Sequence, residues 1–472
     1  MTDTLREDEP KAAAGPAIGP RLASVASAPD DELSWQPAWR IRERIVARDL
    51  SPVEVTDHFL RRIETLDPVL HAFRQIDVDG ARAQARHAEA ALAAGEPAGA
   101  LLGVPVAVKE LISVGGMTYR DASTGMPTLR ERDALEVERL RNAGAVIVGI
   151  TVGGLTTREF GDTDRQPQNP WDRTRVCGDS SSGAACAQAA AMVPLSLAAD
   201  GLGSTRLPAA YCGLVGMIAT RGRIADTDWT HLVNRLLSQS GPLARDVRDA
   251  ATMLSVMAGP DGRDLFCLPD SPPDYLDRLE DGANGMRLVW TDDFGYASTY
   301  AGAESARVIE TVRHAAQRLA AAGAVVEETQ QVFEDPNRAC NMVMLSDPGL
   351  AIRQDLSRED VARTRETRGR IWRTFMQVLE GYDFILSPTI QHVAPTRQAW
   401  TAGWQAPTDW RTPSYMATYS AHTAAANLLG WPAISVPAGL VDGLPVGLQI
   451  LGRPNSEVRM LQLAQAFLSL GG

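Results

Sequence analysis

The run ALEVERLRNAGAVIVGIT, residues 134–151, sets the reading of the whole chain. Its first half has the spacing of an amphipathic helix, Gly144 is a break, and AVIVGIT is short, continuous and apolar, as a strand buried on both faces must be. Helix, glycine and buried strand in that order make half a unit of a parallel sheet covered by helices. The same pattern recurs in SARVIETVRHAAQRLAAAGAVVEET (305–329), GYDFILSPT (381–389), PAISVP (432–437) and PVGLQILG (445–452). Strands alternating with helices over the whole length predict an α/β/α sandwich, a large mixed β-sheet with helices on both faces. No fixed-period repeat accompanies them, which argues against solenoids and propellers.

Upstream, Trp39 to Ala47 is amphipathic, and Ser51-Pro52-Val53-Glu54 combines an N-cap serine, a first-turn proline and a glutamate three residues after the cap, so a helix starts near Ser51. An Ala-rich helix is expected from about Gly80 to Ala94, followed by LLGVPVAVKE (101–110), a buried-strand run ending on a lysine. Residues 1–34 are rich in Ala, Pro, Gly and acidic residues and lack the continuous apolar core of a secretory signal; they read as a disordered tail ahead of one large domain over 35–472, in a cytoplasmic protein.

Composition narrows the function. With 472 residues and 44% hydrophobic content the chain can bury a large core. A net charge of −12 would oppose a nucleic-acid partner. No run approaches the roughly eighteen apolar residues of a membrane helix. The five cysteines are odd in number, widely spaced and without C-x-x-C, so neither a disulfide framework nor a zinc site is indicated, and Cys177 reads as structural.

Of 46 basic residues only two are lysines, Lys11 in the tail and Lys109. Guanidinium stays protonated, whereas a desolvated ammonium can lose its proton through pKa shifts of up to ~3–5 units. The apolar run Gly-Val-Pro-Val-Ala-Val before Lys109 supplies that desolvation, and a neutral lysine is a general base. The flanks alone leave a second role open, a side chain that snorkels from a strand end or pairs with Glu110. The bias toward arginine everywhere else favours chemistry.

A base needs a nucleophile. The seven histidines are scattered, and H-E-x-x-H, G-x-S-x-G and the phosphate-binding G-x-x-x-x-G-K-[ST] are all missing. What remains is RVCGDSSSGAACAQAAAMVPLSLAADGLGSTRLPAAYCG (175–213), within a stretch, Asn169 to Ile224, whose small residues let backbone approach backbone or ligand. Asp200-Gly201-Leu202-Gly203-Ser204-Thr205-Arg206 follows a buried-strand run and brings a serine to a Gly-bounded turn, where successive N–H groups can converge on one oxygen. A second irregular stretch, Gln391 to Pro413, carries Trp400, Trp404 and Trp410 and is long enough to be a lid. Its indoles suit either an aromatic substrate or simple packing against the body.

At these residues the chain resembles the amidase signature family. Gly178-Asp179-Ser180-Ser181-Ser182-Gly183-Ala184 is similar to the family's Gly-Gly-Ser-Ser-Gly-Gly-Ser, Asp200 to Ala209 to its Asp-x-Gly-Gly-Ser-Ile-Arg-x-Pro-Ala, GVPVAVKE to its Gly-Val-Pro-Val-x-x-Lys-Glu, and PAISVPAGLVDGLPVGLQILGRP to its ending; the likeness spans about residues 36 to 470. The resemblance implies a catalytic domain over 35–472 that cleaves carboxamide-like C–N bonds, with Lys109 as base, Ser180 as bridging serine on a cis peptide and Ser204 as nucleophile. It also implies an oxyanion hole from the N–H groups of Gly201, Leu202, Gly203 and Ser204, with Ser181, Asp200 and Arg206 in support and no metal or organic cofactor. The implied substrates are small amides or carbamates, aryl amides and urethanes included, with an esterase side activity in reach. Asp179 stands where the family has Gly, Leu202 replaces an oxyanion-loop Gly, and Ser182 and Ala184 replace Gly and Ser, which puts the substrate class in question. Two other functions stay in view, the amidase-like component of a glutamyl-tRNA amidotransferase and a catalytically dead binding protein on the same scaffold. A homodimer is left open.

Overall fold

A computed structural model describes residues 32–120, 126–153, 165–227, 236–345, 357–403 and 415–471. The tail expected over 1–34 lies outside the described residues as far as 31, and Glu32–Trp35 is helical. The strands are β1 (Phe73–Ile76), β2 (Pro105–Lys109), β3 (Thr118–Arg120), β4 (Pro127–Leu129), β5 (Val146–Thr151), β6 (Gln168–Asn169), β7 (Asp172–Val176), β8 (Leu195–Asp200), β9 (Val215–Ile218), β10 (Gln239–Ala244), β11 (Arg287–Trp290), β12 (Val325–Glu328), β13 (Phe384–Pro388), β14 (Ala433–Val441) and β15 (Leu444–Gly452). Eleven of them form one mixed sheet in the order β1-β5-β2-β8-β10-β9-β14-β15-β13-β11-β12.

The opening run behaves as its pattern requires. Helix Leu135–Asn142 returns the chain from β2 to β5, and the two strands pair in parallel with every β5 residue buried. Helix Ser305–Gln317 does the same between β11 and β12, although β12 is an exposed edge rather than an interior strand. The apolar runs at 432–437 and 445–452 differ from the expected helix-strand grammar. They form an antiparallel hairpin, β14 with β15, around Asp442 (φ 52°) and Gly443 (φ 75°). Positive φ at both turn residues is what a tight hairpin demands, and Asp-Gly supplies it.

Helix Pro52–Leu70 starts where the sequence places it. Ser51 Oγ accepts from the amides of Val53 and Glu54, and Ser51 N donates back to the Glu54 carboxylate. The Ala-rich helix is Val78–Ala93, two residues earlier than expected, because Asp77 caps Gly80 N.

Residue alternation along the strands shows why helices cover both faces. In β2, Val106 and Val108 join a cluster with Leu254, Leu461 and Phe467 on one side, whereas Ala107 joins Ile63, Ala185 and Leu243 on the other. At the far half, Leu288 and Leu386 share the first cluster, while Val289 and Ile385 pack with Phe375 and Trp431. Each such Val or Leu withdraws apolar area worth about 1.5–3 kcal/mol from water. The small-residue stretch Asn169 to Ile224 contains central strand β8 and the wholly buried helix Ser182–Ala189. Its Ala and Ser side chains are small because that helix lies directly against the sheet.

Strands β2 and β8 are parallel neighbours, so Lys109, last in β2, and Asp200, last in β8, emerge at the same edge. Carboxyl ends of parallel strands are where α/β sheets place their ligands. No helix among the described residues is long and apolar enough to cross a membrane.

Candidate active site

Lys109 is 1% exposed. Its Nζ lies 2.7 Å from Ser180 Oγ and 2.7 Å from the carbonyl of Ala199. Burial pulls the ammonium pKa down to about 8, against the opposing pull of the Asp200, Asp179 and Glu110 carboxylates. The Glu110 oxygens are taken up elsewhere, accepting from Gly153 N at 2.8 Å and Arg74 Nε at 3.1 Å. The amine is turned toward the Ser180 hydroxyl.

The Asp179–Ser180 peptide is cis. Ser181 ties the serine cluster to the neighbouring turn, its N–H reaching Ser204 O at 3.3 Å and its Oγ reaching Ala199 O at 3.2 Å. Gly178 has φ 89°, and a Cβ there would sit 2.9 Å from Pro208 Cα, so the approach of these two backbones excludes any other residue.

Asp200 organises the turn that carries Ser204. Its carboxylate accepts from Gly203 N at 2.5 Å, Thr205 N at 3.2 Å, Arg206 N at 3.3 Å and, bidentate, from Arg206 Nε and Nη2 at 3.0 Å each. Burial alone would raise its pKa, but Arg206 and these donors outweigh burial and hold it below the usual value. Gly203 takes φ 123°, and a Cβ there would meet Thr423 Oγ1 at 2.3 Å. Of the four N–H groups expected to hold an oxyanion, that of Gly203 is already given to Asp200; those of Gly201, Leu202 and Ser204 donate to no protein group among the described residues.

Three residues of this site, Thr423, Asn427 and Gln449, escape the sequence reading. They meet at Arg206, fully buried, which extends from Asp200 to Gln449 Oε1 at 2.8 Å, Asn427 Oδ1 at 2.6 Å and Thr423 O at 3.2 Å. Asn427 Nδ2 returns to the Asp200 carbonyl and carboxylate at 2.9 Å each, and Thr423 Oγ1 holds Leu202 O at 2.6 Å. The available signal was a lone amide in each of two apolar runs, Gln449 in PVGLQILG and Asn427 in AAANLLG. A buried amide needs partners.

Lys109, Ser180 and Ser204 line one cavity of about 200 Å³, and Ile112, Leu202, Ile224 and Phe266 supply apolar wall. Leu202 also packs with Ile218 and Leu237, so the side chain that departs from the family pattern is fixed as part of this wall. Trp400 does not line it; the indole is buried with its ring 4.5 Å from that of Tyr419. Trp404 and Trp410 lie outside the described residues. Cys177 is fully buried with its thiol pKa pushed well up by burial, the setting of an inert core cysteine. Among the described residues no group of His, Cys, Asp and Glu side chains is arranged to hold a metal ion.

Comparison with known proteins gives a consistent result. The Amidase family model matches residues 54–347 and 342–461. A glutamyl-tRNA(Gln) amidotransferase subunit of Roseiflexus castenholzii is 33% identical, over 90% of this chain and 94% of its own length. An acylamidase of Rhodococcus erythropolis is 29% identical, over 93% of this chain and 96% of its own. A bacterial aryl acylamidase structure superposes with a TM-score of 0.81 over 93% of this chain and 97% of its own; at 24% identity that likeness is one of fold.

Proposed function

The chain belongs to the amidase family, in its amidase signature form, and from that premise we propose that it is an amidohydrolase working through an acyl-enzyme on Ser204. The observation that carries the proposal is the 2.7 Å contact between a buried lysine of lowered pKa and Ser180 in the cavity that Ser204 also lines. Neutral Lys109 accepts the proton of Ser180, which takes that of Ser204 as its Oγ attacks the substrate carbonyl carbon. The developing oxyanion is met by the free N–H groups of Gly201, Leu202 and Ser204. The relay then returns the proton to the nitrogen, the C–N bond breaks and the amine leaves; water attacks the ester by the same relay and releases the acid. Asp200, Arg206 and Ser181 hold the turn in register.

The apolar wall of Phe266, Ile112 and Ile224 supports aryl amides and aryl carbamates over short aliphatic amides. Rates on matched anilides, aryl carbamates and aliphatic amides, with mass-spectrometric location of a fluorophosphonate label, test this reading. Hydrolysis with the label on Ser204 is expected. An unlabelled Ser204 and no turnover of any amide would instead make the chain a binding protein.

A second reading, the amidase-like component of a glutamyl-tRNA amidotransferase, is favoured by the 33% identity to such a component over nearly its full length. Glutamine-dependent transamidation of charged tRNA with partner proteins decides it. Amide hydrolysis by the isolated chain without partners favours the first reading.

A further inference from the structure

Arg221 lines the same cavity as Lys109, Ser180 and Ser204, and its guanidinium has fewer acceptors than those of Arg206, Arg223 and Arg245. Arg206 has a bidentate carboxylate. Arg223 reaches Asp270 and Asn455. Arg245 spends its terminal nitrogens on the carbonyls of Ser34, Gln36, Gln188 and Val193. Arg221 has one acceptor, the carbonyl of Asn427 through Nη2. Its Nε is shielded without a partner, as are those of Arg223 and Arg245; what sets Arg221 apart is Nη1, which donates to no described group. Nη1 rests over Gly430, where a Cβ would come within 3.1 Å of it.

Among the described residues no carboxylate pairs with this cation. Burial lowers its pKa to about 10, and Arg368 beside it pushes the same way, so it remains protonated at neutral pH. Three acidic residues among those described line the cavity, Glu136, Asp226 and Asp264; of these, Asp264 accepts from the amides of Asp226 and Phe266, and Glu136 from Ser240 Oγ. An arginine of the cavity lining with a terminal nitrogen, Nη1, left unspent is suited to an anion.

We infer that Arg221 is a specificity residue for a carboxylate on the substrate, which makes the preferred substrate an amide carrying a second, anionic carboxyl group. The inference rests on the amidohydrolase reading and adds to it the class of substrate. Glu136, Asp226 and Asp264 also line the cavity and repel an anion, so the substrate's charged end goes to Arg221 and its scissile carbonyl to Ser204.

Two substrate pairs test it. The 4-nitroanilides of succinic and butyric acid place the carboxylate on the acyl side, and 4-acetamidobenzoate against 4-methylacetanilide places it on the leaving side. In the wild-type protein one pair is expected to show a preference for the charged member of about tenfold or more in kcat/KM, expressed in KM. Arg221→Met should collapse that ratio toward one and Arg221→Lys should keep part of it; using the ratio removes any general loss of activity. Because Arg221 also holds Asn427 O, the wild-type protein supplies an independent arm, competitive inhibition of a neutral amide's hydrolysis by butyrate but not by butyramide. A wild-type ratio at or below one in both pairs, a ratio unchanged in Arg221→Met, or equal inhibition by acid and amide overturns the inference. Absence of all hydrolysis, with Ser204 unlabelled by fluorophosphonate, overturns the amidohydrolase reading itself and is a different result from neutral amides being hydrolysed without charge preference.

Discussion

The pH dependence of turnover follows directly from the burial of Lys109 and tests the proposed base. The relay needs the amine neutral, so the active fraction rises as pH climbs through the folded-state pKa, about 8 instead of the usual 10.5. At pH 7 that leaves roughly one molecule in ten competent and at pH 9 roughly nine in ten, so kcat/KM should climb about tenfold across the interval. The perturbation that separates lysine from any other titrating group is Asp179→Asn. The Asp179 carboxylate raises the Lys109 pKa, so its removal should slide the rising limb to lower pH. Initial rates on a soluble anilide from pH 6 to 10, with far-UV circular dichroism at each end, measure both curves. A flat profile, a limb centred near 6, or a limb that moves upward in Asp179→Asn would refute the assignment of Lys109 as base.

Other outcomes follow from the same geometry. Ser204→Ala and Lys109→Arg should each reduce kcat by about 10³-fold or more, Ser204→Ala with little change in melting temperature, since the Asp200–Arg206 scaffold is untouched. Gly203→Ala forces a Cβ to within 2.3 Å of Thr423 Oγ1 at φ 123° and should cost about 1–3 kcal/mol by urea denaturation while impairing kcat more than KM. Asn427→Ala removes the amide that binds Asp200 and Arg206 and should destabilise the protein by about 3–5 kcal/mol, because the buried pair is left under-satisfied; a loss below about 1 kcal/mol would show that the network tolerates the gap.

Legibility in the sequence differs from residue to residue. Lys109 stands out because arginine replaces lysine everywhere else in the folded part of the chain, and the serine turn stands out because small residues dominate around it. Capping chemistry at Ser51 and the helix-strand half-units are equally legible, because they depend on residues close in sequence. The Asp442-Gly443 turn carries its own signal as well, yet the apolar runs on either side look the same whether they pair in a hairpin or join through helices.

The sequence alone determined the α/β class, the lysine, the serines and the glycine-bounded turn, since helix and strand periodicity and turn chemistry are local properties. Tertiary structure decided what surrounds them. Asn427, Thr423 and Gln449 lie more than 200 residues from Asp200 and are brought to it only when the sheet is assembled. Structure likewise placed Trp400 in a packed contact away from the cavity and Arg221 on its wall with a single backbone carbonyl as acceptor. The physical reason is that desolvation, which moves the pKa of the lysine and of Arg221, comes from neighbours that no local pattern specifies.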